Sequence, residues 1–347
     1  MSFLQTVFGR GRPARQTMTL EGVLGPNQRL EEARARLTQQ GRAVAVATDG
    51  ALLLGDGNKL TRIADWEGDC DVVYRAGALI IALAVSPAGA VALFGEGGTF
   101  GVLAPDFSVA DWASGNGLIA PTDAAFLSED ELVVVDSGIR GGDFLARAAW
   151  EEAETGSVVS IARNGRRRVI RDGLHAPAGL CLDPAGRILV TELERACIRD
   201  AVSGEVLRAG LPGYAARLRQ RPGGYLLSCL ARRDPLIEFL KTEEAFVREM
   251  KATIAPESWI APRIDPRFSH ALPIEMGATR LFGAVKAWAP SFSYGLVIEL
   301  DRDLNPTGSL QSRANGSRHA IADAVHWNGA TVALSLATGE LLLAEDR

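Results

Sequence analysis

The segment HAIADAVHW at residues 319–327 contains the residue types needed to move a proton. His319 and Asp323 are four residues apart, so they would share one face of an extended strand, in which side chains alternate. A histidine oriented by a carboxylate is a suitable general base near neutral pH. His319 is therefore the first candidate catalytic residue, with Asp323 as its partner and His175 as the second histidine. The structural alternative is that each histidine is hydrogen-bonded by a loop carbonyl and does no chemistry.

A second group of polar and aromatic residues has the chemistry of substrate binding. An arginine pairs with anionic substrate groups, and aromatic rings pack against an apolar ligand body. We assign substrate binding to the following residues: Arg217, Asp123, Asp71, Glu192, Trp288 and Tyr294. The alternatives are structural, because carboxylates beside turns often accept hydrogen bonds from nearby backbone N–H groups, and the aromatic rings can pack against the protein itself.

These candidates converge only if the chain repeats one structural unit. The unit is a short apolar strand, a turn rich in Asp, Gly, Asn or Pro, and a more apolar strand, which is typical of a β-hairpin. Its six copies begin at Ala43, Asp71, Asp123, Gly179, Arg217 and Asp323. Six hairpins favour an all-β fold, the six-bladed β-propeller, whose radial closure protects the sheet edges. The register then places the first residues of the last five copies at one level, at the mouth of the central channel.

The long interval before the sixth copy contains an insertion. Within it, the segment 241–254 carries four apolar residues at helical spacing, and the prolines that follow favour irregular structure. It has too few apolar residues for a core of its own. We therefore predict a partly helical lid or flap at residues 240–290, before the last blade of a propeller that spans residues 21–347. Residues 1–20 form an N-terminal extension.

Composition restricts the partners and the compartment. The net charge is −5 over 347 residues, which argues against nucleic-acid binding because that binding rests on Lys and Arg neutralising phosphates. The four cysteines form no C-x-x-C pair and no zinc-finger pattern, so we expect structural thiols. No apolar run approaches the ~20 residues of a membrane span, and the first residues lack the order of a secretory signal. We expect a cytoplasmic protein with no transmembrane segment.

Over nearly its whole length the sequence resembles the bacterial strictosidine-synthase-like proteins, relatives of the gluconolactonase and arylesterase propellers. The segments that carry the resemblance are 21–33, 120–138, 173–192, 211–240, 259–262, 286–301 and 312–329. The resemblance implies a six-bladed propeller and the chemistry of small organic molecules. Because the wider superfamily includes condensing enzymes, hydrolases and members without known activity, it does not imply one reaction.

The sequence departs from the two functional motifs of these families. In the metal-dependent relatives, Asn, Asp and Glu side chains at the start of the innermost strands hold calcium; the corresponding residues here are Thr122, Ala178 and Ala216. Calcium takes six to eight oxygen ligands, which these side chains do not supply, so we expect no metal ligands and no cofactor; the disfavoured alternative is a calcium ion for which nearby aspartates partly substitute as ligands. Strictosidine synthase uses a glutamate near its last blade, whereas residues 319–330 contain none.

Two functions remain open at this point. The first is a metal-independent hydrolase, or a condensing or lyase-type catalyst, in which polar groups at the propeller mouth do acid/base work and Arg217 orients an anionic part of the substrate. The second is a non-catalytic propeller that binds a metabolite or a protein partner. The fold alone does not distinguish them.

Overall fold

The computed structural model describes residues 19–113, 117–140, 144–151, 154–265 and 280–345. Its strands form six antiparallel sheets, or blades, around one axis, so the six-bladed propeller is confirmed. Blade 1 contains β2 (Gly41–Val46), β3 (Leu52–Asp56), β4 (Lys59–Ile63) and β5 (Cys70–Arg75). Blade 2 contains β6 (Ile80–Val85), β7 (Val91–Gly95) and β8 (Thr99–Leu103). Blade 3 contains β9 (Pro121–Ser128), β10 (Glu131–Asp136), β11 (Gly156–Ala162) and β12 (Arg167–Leu174).

The remaining blades follow the same pattern, in which the first strand is innermost. Blade 4 contains β13 (Pro177–Leu182), β14 (Ile188–Glu192), β15 (Cys197–Asp200) and β16 (Val206–Arg208). Blade 5 contains β17 (Gly213–Arg221), β18 (Gly224–Arg232), β21 (Gly295–Asp301) and β22 (Pro306–Ser312). Blade 6 contains β23 (Ile321–Trp327), β24 (Ala330–Ser335), β25 (Glu340–Glu345) and, from the other end of the described chain, β1 (Arg34–Leu37). A short hairpin, β19 (Arg280–Leu281) and β20 (Ala284–Val285), lies apart from the blades.

The six innermost strands form a closed ring. Each of β2, β6, β9, β13, β17 and β23 contacts the innermost strands of both neighbouring blades. The propeller as a whole is closed by β1, the outermost strand of blade 6, which pairs with β25 so that Arg34 lies opposite Leu343. This pairing joins the two ends of the propeller within one sheet and leaves no open gap between the first and last blades.

The apolar core lies between the blades. Six clusters of buried residues each join two neighbouring blades; one example packs Val133 and Val135 of blade 3 against Leu180 and Val190 of blade 4. Both faces of a blade are covered, so the central strands are apolar without interruption, as in β10, where residues 132–135 are all fully buried. This burial on both faces produces the strongly apolar second strand of each sequence repeat.

The second predicted hairpin is wrong. The copy that begins at Asp71 spans β5 and β6, the outermost strand of blade 1 and the innermost strand of blade 2. The hairpin at the axis is instead β6–β7, which starts at Ile80. An outer strand followed by the next inner strand also gives two apolar runs with a turn between them, so the pattern alone did not separate the two registers. The other five copies match the first two strands of a blade.

Two insertions carry the helices. Helix α1 (Phe144–Trp150) lies between β10 and β11 of blade 3, and helices α2 (Pro235–Leu240) and α3 (Glu244–Thr253) lie between β18 and β21 of blade 5. A 3-10 turn at Pro256–Ser258 follows α3. The two insertions pack together through one apolar cluster that includes Trp150, Met250 and Trp259. The described part of the predicted insertion is therefore partly helical, it interrupts blade 5 rather than only preceding blade 6, and it packs against the insertion of blade 3.

Among the described residues, no helix combines the length and the apolar character needed to cross a membrane.

Candidate functional site

The innermost strands share an irregularity at their start. In five of the six, the pairing with the second strand slips by one residue, and the extra residue turns toward the central axis, as in a β-bulge. In β17 the slip is longer and includes two residues. The extra residues all line one cavity at the mouth of the ring: Arg42, Ile81, Thr122, Ala178, Ala216, Arg217 and Ala322.

This mouth cavity has a volume of about 710 Å³ and mainly apolar walls. The other apolar wall residues come from loops between strands, from the first residue of β9, from β18 and from the start of α1: Leu79, Leu118, Ile119, Ala120, Pro121, Ile139, Phe144, Leu230 and Leu336. The carboxylate of Asp136 holds part of this wall, because it accepts hydrogen bonds from the backbone N–H groups of Ile119 (2.7 Å) and Ala120 (2.8 Å). The size and the apolar lining are those of a site for a small organic molecule.

Four polar side chains stand at the rim or on the wall of the mouth cavity. They are Arg42, Glu96, Ser137 and Arg140. Neither Arg42 nor Arg140 makes a side-chain hydrogen bond or ion pair with any described residue. Ser137 is buried, and its hydroxyl donates to the carbonyl of Ala120 at 3.1 Å. Within the described part of the chain, Glu96 is the one carboxylate that lines the cavity, and no histidine or cysteine does.

Arg217 closes the floor of the mouth cavity. Its guanidinium donates to the carbonyls of Arg42 (3.0 Å), Thr122 (3.1 Å) and Ile81, which lie on three other inner strands. It also pairs with Asp323 of β23 at 2.9 Å. One buried side chain therefore joins β17 to four of the other five inner strands.

Arg219 lies below Arg217 and was missed by the sequence analysis. Its guanidinium donates to both oxygens of Asp123, at 2.6 and 2.9 Å, and contacts Asp323 at 3.1 Å. It also donates to the carbonyl of Leu180 on β13 at 3.2 Å, the strand that Arg217 does not reach. Residues i and i+2 of a strand share a face, so the RLR of 217–219 is the signal that would have found it.

These four residues, Asp123, Arg217, Arg219 and Asp323, form what we call the axial network. Burial alone would lower the pKa of the Arg219 guanidinium, but Asp123 and Asp323 raise it above its ordinary value. Each carboxylate also accepts a backbone hydrogen bond, Asp123 from Leu180 (2.8 Å) and Asp323 from Ala324 (3.1 Å). With their oxygens occupied by guanidinium and N–H groups, the two aspartates stabilise the ring rather than serve as proton carriers.

The predicted pairing of His319 with Asp323 is wrong. The His319 ring is fully buried, with Nδ1 2.9 Å from the Ser293 hydroxyl and Nε2 2.9 Å from the Arg313 carbonyl. It is not among the residues that line the cavity. Strand β23 starts only at Ile321, and Ala320 before it has a φ of +54°, so the alternation that would put His319 and Asp323 on one face is broken.

The second candidate histidine and Glu192 also lie outside the cavity lining. The Nε2 atom of His175 is 2.9 Å from the carbonyl of Ala148 in α1, and its backbone N–H donates to Glu192 at 3.0 Å. Glu192 is fully buried and pairs with Arg195 and Arg199, each at 2.8 Å. Although burial raises the pKa of Glu192, these hydrogen bonds and charges bring it below its ordinary value. The cluster fastens α1 to blade 4.

Of the predicted substrate-binding residues, only Arg217 lines the cavity; besides Asp123 and Glu192, the three others lie elsewhere. Asp71 is exposed on β5, the outer strand of blade 1. Trp288 is 69% exposed, so its ring packs little against the propeller. Tyr294 is buried, donates its hydroxyl to Gln311 at 2.8 Å and stacks beside the His319 ring, with 6.2 Å between the ring centroids. None of the described residues of the 240–290 insertion lines the cavity either; the loop before α1 does.

The described cysteines do not provide a nucleophile. All four are free, and three of them are buried. Burial raises the pKa of Cys181 to about 12 and that of Cys197 to about 12, so both remain thiols near neutral pH. Cys70 is exposed on the outer strand of blade 1, away from the cavity.

The mouth cavity does not fit the calcium of the metal-dependent relatives. Thr122, Ala178 and Ala216 do line it, at the positions where the resemblance places metal ligands, but only Thr122 has a side-chain oxygen. That hydroxyl donates to the carbonyl of Pro177 at 3.2 Å. Glu96 is the one carboxylate among the described lining residues, and the two carboxylates of the axial network are paired with arginines. Within the described residues, no cluster of three or more His, Cys, Asp or Glu side chains has the arrangement of a metal site.

Comparison with solved structures places this fold among known propellers. A protein assigned as a gluconolactonase superposes with a TM-score of 0.51 at 14% identity, covering 91% of this chain and 95% of its own. The calcium-binding protein regucalcin from Agrobacterium tumefaciens superposes with a TM-score of 0.52 at 11% identity, covering 90% of this chain and 93% of its own. No protein-family model and no curated protein matches the sequence. At these identities the likeness shows the fold: the chain is a six-bladed propeller similar to those of gluconolactonase and regucalcin.

Proposed function

We propose that this propeller binds a small organic molecule in the mouth cavity and that binding, rather than turnover, is its activity. The observation that carries the proposal is the cavity itself: all six inner strands turn a bulged residue into it, and its walls are apolar. Such a cavity removes an apolar ligand body from water, which favours binding by roughly 25 cal/mol per Å² of apolar surface buried.

The arrangement of the titratable groups supports binding over catalysis. The proton carriers suggested by the sequence, His319 and His175, have ring nitrogens engaged by backbone or hydroxyl groups away from the cavity. Asp323 is held by two arginines. Acid/base catalysis needs a titratable group within hydrogen-bond reach of the substrate.

The experiment is a ligand screen by thermal shift, using lactones, esters, carboxylates, amines and aldehydes. A ligand that binds only the native state raises the melting temperature by mass action. The substitution Ala322→Phe places a ring in the cavity and is expected to remove the shift. Val169→Phe, at an exposed position on β12, is the matched control and should leave it intact. An equal shift in the Ala322→Phe variant would place the ligand elsewhere and contradict the proposal.

A hydrolase is the second candidate, and Glu96 favours it. This exposed carboxylate lines the cavity directly before a turn in which Gly97 and Gly98 both have positive φ. A carboxylate that lines the cavity can act as a general base and activate a water molecule for attack on a bound substrate. The protein assigned as a gluconolactonase, one of the structural neighbours, adds a reason to test lactones first.

The two functions are separated by turnover of the ligands found in the screen. If the chain is a hydrolase, a lactone or ester is consumed, and Glu96→Gln reduces the rate by the 10²–10⁴-fold typical of a general base. Glu205→Gln, at an exposed turn of blade 4, should not change it. A ligand that binds and is recovered intact supports the binding function.

We also propose membership of the strictosidine-synthase-like group. Three of the segments that carry the resemblance, 120–138, 173–192 and 211–240, contain the inner hairpins of blades 3, 4 and 5, which form the cavity. The departures at Thr122, Ala178 and Ala216 place the chain apart from the metal-dependent members.

A further inference from the structure

Among the residues that the structure describes, the charges around the mouth cavity do not balance. Three described arginines line it, Arg42, Arg140 and Arg217, against one described carboxylate, Glu96. Arg217 is neutralised by Asp323 of the axial network. The guanidinium groups of Arg42 and Arg140 have no carboxylate partner among the described residues. This excess of positive charge at the cavity contrasts with the net charge of −5 for the whole chain.

Arg42 is held in place by its backbone while its side chain stays unpaired. It is the bulged residue of β2, and its carbonyl accepts a hydrogen bond from Arg217 at 3.0 Å. The residue is half-buried, so its guanidinium is partly shielded from water. A shielded guanidinium beside apolar walls attracts an anion more strongly than one in bulk solvent, because the local dielectric constant is lower.

The walls exclude a bare inorganic anion as the best occupant. Leu79, Ile139 and Phe144 line the same cavity and gain nothing from contact with a fully polar ion. A molecule with one anionic group and an apolar body satisfies both parts of the site. We infer that the ligand of the mouth cavity is an organic anion, a carboxylate or a phosphate monoester, whose charged group is bound by Arg42; this inference rests on the proposed binding function.

The experiment compares pairs of ligands that differ only in charge. Each carboxylate of the panel, such as 3-phenylpropionate, is titrated beside its neutral amide, and beside the phosphate monoester of the corresponding alcohol. A hydrogen bond to a charged group is worth enough to give the anion at least about a tenfold advantage in Kd over the amide. Inorganic phosphate alone should bind weakly, because it leaves the apolar walls unfilled.

The variant that tests the anchor is Arg42→Gln. It should bring the anion and amide affinities to within about threefold of each other, whereas Arg42→Lys should retain most of the preference because it keeps the charge. Arg166→Gln, at the exposed β11–β12 turn, removes the same charge away from the cavity and is the matched control. The melting temperature without ligand should be the same for Arg42→Gln and the parent, since no described group loses a partner.

The outcomes separate this inference from the function on which it rests. Amides that bind as tightly as carboxylates, or a preference that survives Arg42→Gln, would overturn the anion assignment while leaving the cavity as a binding site. If no member of the panel binds in a way that Ala322→Phe abolishes, the binding function itself fails. If the phosphate monoester binds more tightly than the carboxylate, the anionic group of the ligand is a phosphate, and Arg42 still binds it.

Discussion

The propeller contains two groups of arginines near its axis, and their guanidinium groups have different surroundings. In the axial network, Arg217 is buried and Arg219 half-buried; together they bind Asp123 and Asp323 and join all six inner strands. At the mouth cavity, Arg42 and Arg140 have no described partner and stand beside apolar walls. A guanidinium whose donors are occupied stabilises the fold, whereas one left unpaired beside a cavity is free to bind a ligand.

The inner strands are also held together differently from those of a metal-dependent propeller. A central cation would bring the inner strands together through shared oxygen ligands. Here two guanidinium groups, each with several donors in a planar array, perform that task through carboxylates and carbonyl oxygens. In the proposed function, the cavity above them binds the organic molecule.

The largest effect is expected from breaking the axial network. Asp123→Ala removes the fully buried carboxylate that is the main partner of Arg219, and loss of one member of a buried pair costs about 3–5 kcal/mol of unfolding free energy. Chemical denaturation measures this cost. Asp71→Ala, on the exposed strand β5, is the control and should stay within about 0.5 kcal/mol of the parent. A cost below about 1 kcal/mol for Asp123→Ala would mean that the network is not what stabilises the ring.

Blade 4 contains a second carboxylate that is paired with arginines, Glu192 with Arg195 and Arg199. Glu192→Gln should cost about 1.5–3 kcal/mol at pH 7, because charge-assisted hydrogen bonds are lost. The folded-state pKa of Glu192 is depressed, so its contribution is present above the unfolded pKa of about 4.3 and is lost as pH falls through the lower folded value.

Denaturation of the parent and of Glu192→Gln across pH 2–7 tests this. The difference between them should be constant at the upper end and shrink below about pH 4. Glu205→Gln, exposed in the same blade, should show no such change. If the difference in unfolding free energy grew toward low pH, the pKa of Glu192 would be raised on folding rather than lowered.

His319 sharpens the distinction between a residue that stabilises the fold and one that acts on a ligand. Replacing it with Phe removes the hydrogen bonds of the ring with the Ser293 hydroxyl and the Arg313 carbonyl, at a cost of about 1–3 kcal/mol. Ligand affinity, measured by titration calorimetry on the folded variant, should not change. If the variant kept the melting temperature of the parent but lost binding or turnover, His319 would act on the ligand rather than stabilise the fold.

The smallest expected effect is that of calcium. The cavity residues at the positions where the resemblance places metal ligands supply one hydroxyl, which is already bonded, so millimolar calcium or EDTA should shift the unfolding free energy by less than about 0.5 kcal/mol. Differential scanning calorimetry with magnesium as the control ion gives the measurement. A rise with calcium that EDTA reverses would show that oxygen ligands outside this set bind the ion.

The sequence by itself determined the architecture. Repeated apolar strands joined by turn residues specify hairpins locally. Six such hairpins bury both faces of their sheets when the sheets pack radially around one axis, and few other arrangements achieve this. Five of the six inner hairpins followed from that pattern. The copy at Asp71 failed because an outer strand and the next inner strand give the same alternation, and the choice between them depends on pairing with strands distant in sequence.

The site was decided by the tertiary structure. Arg217, Asp123 and Asp323 do meet, as the repeat register indicated, but whether they face a ligand or one another depends on Arg219, whose reach across the axis no local pattern shows. The positive φ of Ala320 turned His319 into the core, and β-bulges turned residues such as Arg42 toward the axis. Backbone departures of one residue carry little signal in sequence, yet each one redirects a side chain.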